Sequence, residues 1–182
     1  MELGAVGVCC QKVGEAEAMV YGGVGNVLVS NQIVGAPKLT KLASLSRRAK
    51  IAVCADDAGN VADIDAAAAA AGVTIDVLVE IDVGAGRCGV APGEAALALA
   101  QVIDGAVNLN FGGLQAYQGS AQHIRGYEER KRAIDSAVAM TEETVSLLAT
   151  HGIECGIVGG AGTGTFRFEA ASGVYNELQA GS

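Results

Sequence analysis

Apolar, β-branched-rich runs recur along the chain at residues 5–9, 26–30, 50–55, 77–83, 109–117, 154–158 and 177–181. Between them lie segments with helical spacing at 14–21, 37–49, 60–71, 93–103 and 127–151, and the stretch 166–176 also suits a helix. In the longest of these, Ile134, Val138, Thr141, Val145 and Leu148 repeat at i, i+4, i+7 and predict a buried stripe. Gly22-Gly23, Gly72 and Gly152 stand just past predicted helix ends, where a left-handed residue closes the last turn. The alanine run at 66–71 is a strong helix former rather than low-complexity sequence. Near-continuously apolar strands, each followed by a helix, predict a parallel sheet covered by helices.

Two architectures satisfy that alternation, a doubly wound sheet and a (β/α)8 TIM-type barrel. Polar and glycine-rich residues gather at the C-terminal ends of the predicted strands: Gln11-Lys12, Asn31-Gln32, Asp56-Asp57, residues 84–87, residues 115–120 and the Gly-Thr loop at 159–165. In a barrel all such ends meet on one rim, the rim that carries active sites. The expected fold is therefore a barrel. Barrels typically need about 250 residues, so one strand–helix unit is expected to be missing from this one. No repeat or linker-like shift in composition divides residues 1–182, which read as one partial barrel domain.

Composition narrows the function classes. No apolar run approaches the ~18 residues that cross a bilayer, and no charged leader with an apolar core opens the chain, so neither a membrane anchor nor a secretory signal is expected. A net charge of −8 with a single basic cluster, Arg47-Arg48-Ala49-Lys50, argues against a nucleic-acid partner. Cysteines at 9, 10, 54, 88 and 155 are odd in number and lack C-x-x-C spacing, which argues against a disulfide framework or a zinc ribbon. A cytoplasmic location follows.

Three stretches carry candidate chemistry. The loop Gly159-Gly160-Ala161-Gly162-Thr163-Gly164-Thr165 follows a strand and precedes a predicted helix. Small residues let the backbone approach a ligand, with N–H groups and two hydroxyls as donors to an anion. The residues alone leave a phosphate cradle and a plain glycine turn as alternatives. In VLVEIDVGAGRCGV, residues 77–90, Glu80 and Asp82 share one strand face and Arg87 follows at the rim. Arg87 is either a fixed donor to a bound anion or the neutralising partner of buried acids. In FGGLQAYQGSAQH, residues 111–123, Gly112 and Gly113 inside a strand imply close approach of another backbone or a ligand. Gln115 and Tyr117 point the same way, offering an amide and a flat aromatic face. His123 is either an acid/base group or an ordinary helix-start histidine.

The blocks GAVGVCCQKVGEAEAMV, VLVSNQIVG, VLVEIDVGAGRCGV, GLQAYQGSAQH, GGAGTGTFRFE and SGVYNELQAGS, in this order along essentially the whole chain, resemble the D-threonine aldolase family. That family, with the 3-hydroxyaspartate aldolases and the D-serine and D-threo-3-hydroxyaspartate dehydratases, shares the alanine racemase-type barrel. The six blocks together are specific; the Gly-Thr loop alone is not.

The resemblance implies a pyridoxal 5′-phosphate (PLP) lyase acting on small D-configured β-hydroxy amino acids, dimeric when complete. It implies that Gly162, Thr163, Gly164 and Thr165 hold the cofactor phosphate, joined by Gly181 and Ser182. Arg87 is implied as donor to the phenolic oxygen, Tyr117 as the residue against the ring, Gln115 as its neighbour and Gln179 as the residue facing the pyridine nitrogen. It further implies that the chain holds about strands 2 to 8 of the barrel, without the first strand and without the C-terminal β domain. The first strand carries the family's Schiff-base lysine. None of Lys12, Lys38, Lys41, Lys50 and Lys131 matches that lysine, so this chain by itself is expected to be inactive. The family's divalent metal, manganese, magnesium or zinc, is bound in the C-terminal domain, and no ligand for it is expected here. Alternatives within reach of the same sequence are a dehydratase and a non-catalytic PLP-binding protein.

Overall fold

The computed structural model describes residues 4–181. Ser182, an expected phosphate ligand, lies outside the described residues. In chain order the elements are β1 (Val8–Cys10), α1 (Val13–Tyr21), β2 (Asn26–Gln32), α2 (Ala36–Leu45), β3 (Lys50–Ala55), α3 (Ala58–Ala71), β4 (Ile75–Glu80), α4 (Glu94–Asp104), β5 (Leu109–Gln115), a 3-10 turn (Gly119–His123), α5 (Tyr127–Thr150), β6 (Ile157–Gly160), α6 (Phe166–Ser172) and β7 (Glu177–Leu178). The strands neighbour one another in chain order, β1 to β7, and β1–β2, β2–β3, β5–β6 and β6–β7 pair in parallel. A doubly wound sheet reverses its strand order at a switch point. Here the order never reverses, as a barrel wall requires.

The chain packs as two compact units, one made of the residues up to Leu78 with Val102–Gly112, the other of Val79–Gln101 with the residues from Gly113 on. In the first, the β2 and β3 side chains Val27, Val29, Val53 and Cys54 are fully buried along with Leu42 of α2 and Ile64 of α3. Asp57 caps α3 by accepting from the Asn60 N–H at 2.9 Å, and Gly72 ends it in the left-handed conformation, φ 63°. Among the described residues no helix is long and apolar enough to cross a membrane.

The second unit is built on Val79, Ile81, Leu114, Ala116, Ile134 and Leu148, all at most 1% exposed. The buried stripe of α5 differs from the one its sequence predicts. Ile134, Ala137, Thr141, Thr144 and Leu148 face inward, while Val138 and Val145 are only half-buried. The physical reason is that the threonine hydroxyls bond back to the turn before them, Thr141 Oγ1 to the Ala137 carbonyl at 2.8 Å and Thr144 Oγ1 to that of Met140 at 2.7 Å. Satisfied in this way, a buried threonine packs much as a valine does. The β6 ladder also falls later than 154–158. Asn176 holds Val158 N–H at 2.8 Å and the Gly156 carbonyl at 3.0 Å, and the pairing continues into Gly159 and Gly160. The helix expected at 166–176 ends at Ser172, because Gly173 turns left-handed at φ 76°.

Gly113 answers the question raised by glycines within a strand. It pairs with Ile157 at φ 135°, and a Cβ there would overlap the Ile157 carbonyl oxygen. The close approach is to another backbone. Gly113→Ala is therefore expected to lower stability by about 3 kcal/mol or more, since neither the conformation nor the space suits an L side chain; an unchanged urea-unfolding midpoint would refute this.

Candidate functional site

The second unit contains every expected cofactor residue among those described. After Glu80 the chain leaves β4, turns, and returns: Asp82 N–H donates to the Val90 carbonyl at 2.9 Å and Val90 N–H to that of Glu80 at 2.9 Å. Inside the turn the Asp82 carboxylate accepts from Gly84 N–H and Gly86 N–H, each at 3.0 Å. These amides, Gly86 first, hold the Asp82 carboxyl below its ordinary range of 3.8. Asp82 thus shapes the loop that carries Arg87. The Arg87 guanidinium lies 3.5 Å from the Glu80 carboxylate and 5.7 Å from the centre of the Tyr117 ring. Glu80 is 4% exposed and Arg87 46%, so the pair is covered on the acid side and open on the cation side. Neutralising Glu80 does not use up a guanidinium with five donors.

Gln115 and Gln179 form a reciprocal amide pair, Gln115 Nε2 to Gln179 Oε1 at 2.8 Å and Gln179 Nε2 to Gln115 Oε1 at 3.0 Å; Gln179 Nε2 also reaches Glu177 Oε1 at 3.2 Å. Gly159 stands against this pair, where a Cβ would lie 2.9 Å from Gln179 Nε2. Gln118, buried, donates to the Val83 carbonyl at 3.2 Å and accepts from Ser120 Oγ at 2.7 Å, tying the turn after β5 to the Arg87 loop.

The glycine loop is held from within. Ala161 is left-handed at φ 71° and 1% exposed, the one non-glycine residue with positive φ among those described. Gly164 N–H donates to Gln122 Oε1 at 2.8 Å, and Gln122 Nε2 donates to Thr165 Oγ1 at 2.8 Å. Thr165 Oγ1 donates in turn to Glu169 Oε1 at 2.8 Å, and Gly162 N–H reaches the same hydroxyl at 3.4 Å. Thr165 is 1% exposed, so its hydroxyl faces inward, while Thr163 and Gly164 are exposed. Glu169 is 2% exposed, its Oε2 has no hydrogen-bond partner, and burial pushes its carboxyl up against the opposing Thr165 contact. Neither Gln122 nor Glu169 is singled out by sequence pattern. The spacing of Thr165 and Glu169 across one helical turn was the available signal.

The remaining candidates lie elsewhere. His123 ends the 3-10 turn and is exposed. Lys131, the second unit's lysine, pairs with Asp135 at 2.7 Å on the exposed face of α5. In the first unit Lys41 pairs with Glu17 at 2.7 Å and Lys50 with Asp76 at 3.3 Å, while Lys12 and Lys38 line a cleft of about 490 Å³ with Gln11, Asn31 and Gln32. Burial raises the Cys10 and Cys155 thiols to about 11, which keeps them protonated and unreactive at neutral pH. Among the described residues no group of three or more His, Cys, Asp or Glu is placed to hold a metal ion.

Asp82→Ala is expected to free the Gly84 and Gly86 amides, raising their hydrogen exchange and costing about 1–2 kcal/mol for two partly exposed charge-assisted bonds. Because the folded-state pKa is depressed, this stabilisation is present at neutral pH and is lost as pH falls below the ordinary value of 3.8. Equal exchange in the two proteins at pH 7 would refute it.

The sequence matches the family described as alanine racemase, N-terminal domain, over residues 1–182. It is 48% identical over 180 residues to a 3-hydroxy-D-aspartate aldolase of Paracoccus denitrificans (strain Pd 1222), covering 98% of this chain and 46% of that protein. It is 50% identical over 182 residues to a D-threonine aldolase of Arthrobacter sp, covering 100% of this chain and 48% of that one. The crystal structure of D-threonine aldolase from Filomicrobium marinum superposes with a TM-score of 0.99 at 53% identity, across 100% of this chain and 49% of that chain. D-threo-3-hydroxyaspartate dehydratase from Delftia sp. HT23 shares the fold, with a TM-score of 0.84 at 21% identity over 98% of this chain and 47% of that chain. The chain thus spans about half the length of the relatives it matches, and it belongs to the alanine racemase N-terminal domain family.

Proposed function

We propose that this chain forms the cofactor-binding wall of a PLP-dependent lyase that cleaves D-β-hydroxy amino acids, D-threonine or 3-hydroxyaspartate, to glycine and an aldehyde by retro-aldol cleavage. The observation that carries the reading is end-to-end likeness, at 48% and 50% identity, to two aldolases of that substrate class. The residues present suit the cofactor. A half-exposed guanidinium stands over an aromatic ring, and the glycine loop turns Thr163 and Gly164 outward. Bound PLP supplies an electron sink for the carbon that loses its substituent.

Arg87, braced by Glu80 and Tyr117, donates to the phenolic oxygen and cannot itself give up its proton. Tyr117 presents its ring face to the cofactor ring. Thr163 would offer its hydroxyl to the phosphate, and the exposed Gly164, whose own N–H is held by Gln122, would let the backbone come close, as would Gly181. Gln115 and Gln179, locked as a pair beside Glu177, would form a polar floor, with Gln179 the residue that would face the pyridine nitrogen. The inward hydroxyl of Thr165 gives it a supporting role behind the loop rather than contact with phosphate. We assign the divalent metal, which would polarise the substrate hydroxyl, to no residue of this chain. We further propose a cytoplasmic homodimer.

Incubation of the complete protein with PLP and D-threonine is expected to yield acetaldehyde and glycine; 2-oxobutyrate with ammonia would replace this reading by the dehydratase. No lysine among residues 1–182 is assigned a covalent bond to the cofactor. Borohydride reduction of this chain with PLP, followed by peptide mass analysis, is expected to give no single labelled lysine, and specific labelling of one of the five would overturn the assignment.

A further inference from the structure

Three hydrogen bonds in series run from the glycine loop into the interior: Gly164 N–H to Gln122 Oε1, Gln122 Nε2 to Thr165 Oγ1, and Thr165 Oγ1 to Glu169 Oε1, each 2.8 Å. We infer that Glu169 is a positioning residue that, acting through Thr165 and Gln122, holds the glycine loop in the shape that receives the cofactor phosphate. This rests on the PLP reading of that loop.

The direction of each bond is fixed by chemistry. An amide nitrogen only donates, so Gln122 Nε2 occupies a lone pair of Thr165 Oγ1. Gly162 N–H approaches the same oxygen at 3.4 Å and claims its second lone pair. The hydroxyl then has one proton left, and Glu169 Oε1 takes it. Thr165 therefore has no proton to spare for a phosphate, and its burial at 1% agrees with that. Its place in the Gly-Thr loop is explained by support from behind: it is the junction through which a buried carboxyl reaches Gln122. Orientation passes along the series. With Nε2 held by Thr165, Gln122 must turn Oε1 toward Gly164, which draws that amide inward, while Thr163 beside it stays exposed.

Burying a carboxyl is costly, and Glu169 stays 2% exposed with one oxygen unpartnered. A residue whose only task was to fill space would be better served by leucine or methionine. Gln122, too, is seated closely: a Cβ on Gly162 would fall 2.5 Å from its Cδ, and one on Gly164 3.0 Å from its Oε1. Two of the loop's glycines are thus the space in which the series is assembled.

The test compares Glu169→Gln, Glu169→Leu, Thr165→Val and the Leu/Val double variant. Three readouts are used: hydrogen exchange of the loop amides without ligand, PLP affinity by absorbance titration, and the 31P shift of bound PLP. Gln keeps an oxygen to accept from Thr165 and is expected to leave loop exchange and affinity near wild type. Leu and Val are each expected to speed exchange at Gly164 and weaken PLP binding about tenfold, with an altered 31P shift. The double variant should be no worse than either single one, because all act through one series. If Glu169→Leu fails to fold, Thr165→Val and Glu169→Gln carry the same comparison. Unchanged exchange and affinity in a folded Thr165→Val or Glu169→Leu variant would overturn the inference, as would additive losses in the double variant, which would make Thr165 an independent phosphate donor. With all variants made in the complete protein, a wild type that bound no PLP would overturn the cofactor reading instead, while the exchange comparison would still decide whether Glu169 positions the loop.

Discussion

The pairing of β5 with β6 is possible only because residue 113 has no side chain. Gly113 lies against the backbone of Ile157, and from that contact the register Gly113–Ile157, Leu114–Val158, Gln115–Gly159 follows. Ala116 N–H then extends the ladder to the Gly159 carbonyl at 2.8 Å. With the register fixed, Gln115 stands beside Gly159 and finds Gln179, while Tyr117 leaves the strand end beneath Arg87. The 3-10 turn beyond it delivers Gln122 to the glycine loop. A slip of one residue would turn every one of these side chains to the opposite face.

Polar groups collected at such a place must satisfy one another, because the interior offers no water to do it. The site meets this requirement by closed pairs: Gln115 with Gln179, Arg87 with Glu80, Asp82 with two amides of its own loop, Thr165 with Glu169. What stays exposed is correspondingly sparse, namely the outer side of Arg87 and the Thr163-Gly164 step. A ligand that used those openings would meet donors whose directions were set before it arrived, which lowers the cost of ordering on binding. Prearrangement of this kind also explains why the protein tolerates a buried carboxyl next to a loop proposed to take an anion. That carboxyl sits behind Thr165 and Gln122, away from the outward face.

The alternation of strand and helix was legible because a parallel strand buried on both faces must be apolar throughout, and a helix covering it must be apolar on one side only. The ends of elements were less so. β6 starts at Ile157 because the Asn176 side chain brackets it, holding the Gly156 carbonyl from twenty positions away and the Val158 N–H from eighteen, and no local pattern records that. The face of α5 was misplaced by the same kind of blindness: Thr144 counts as polar by composition yet is fully buried, with its hydroxyl turned back on Met140. Arg87, Tyr117 and the glycine loop were visible as residue types at strand ends, whereas Gln122 and Glu169 were not, since a glutamine in a turn and a glutamate in a short helix have ordinary solvated uses. Their role exists only through partners, and partners at long range are what a linear pattern omits.

The glycines of the second unit make the same point from the other side. Gly84 faces Gln118 Nε2, Gly159 faces Gln179 and Gln115, and Gly162 and Gly164 both face Gln122; in each case the nearest atom to an added Cβ would be a glutamine amide at 3.0 Å or less. A glycine-rich stretch is commonly taken as a sign of mobility or of space reserved for a ligand. Here much of that space is already filled by side chains of the chain itself, and glycine lets a glutamine amide come close, to bond the backbone at Val83 and Gly164 and to bond a second glutamine beside Gly159. The loop at 159–165 is therefore a packed structure with a small exposed step, not an empty cradle. That distinction matters for function: a packed loop keeps its donors aimed without ligand, and the selectivity of the site then depends on the glutamines that fill it as much as on the glycines that admit them.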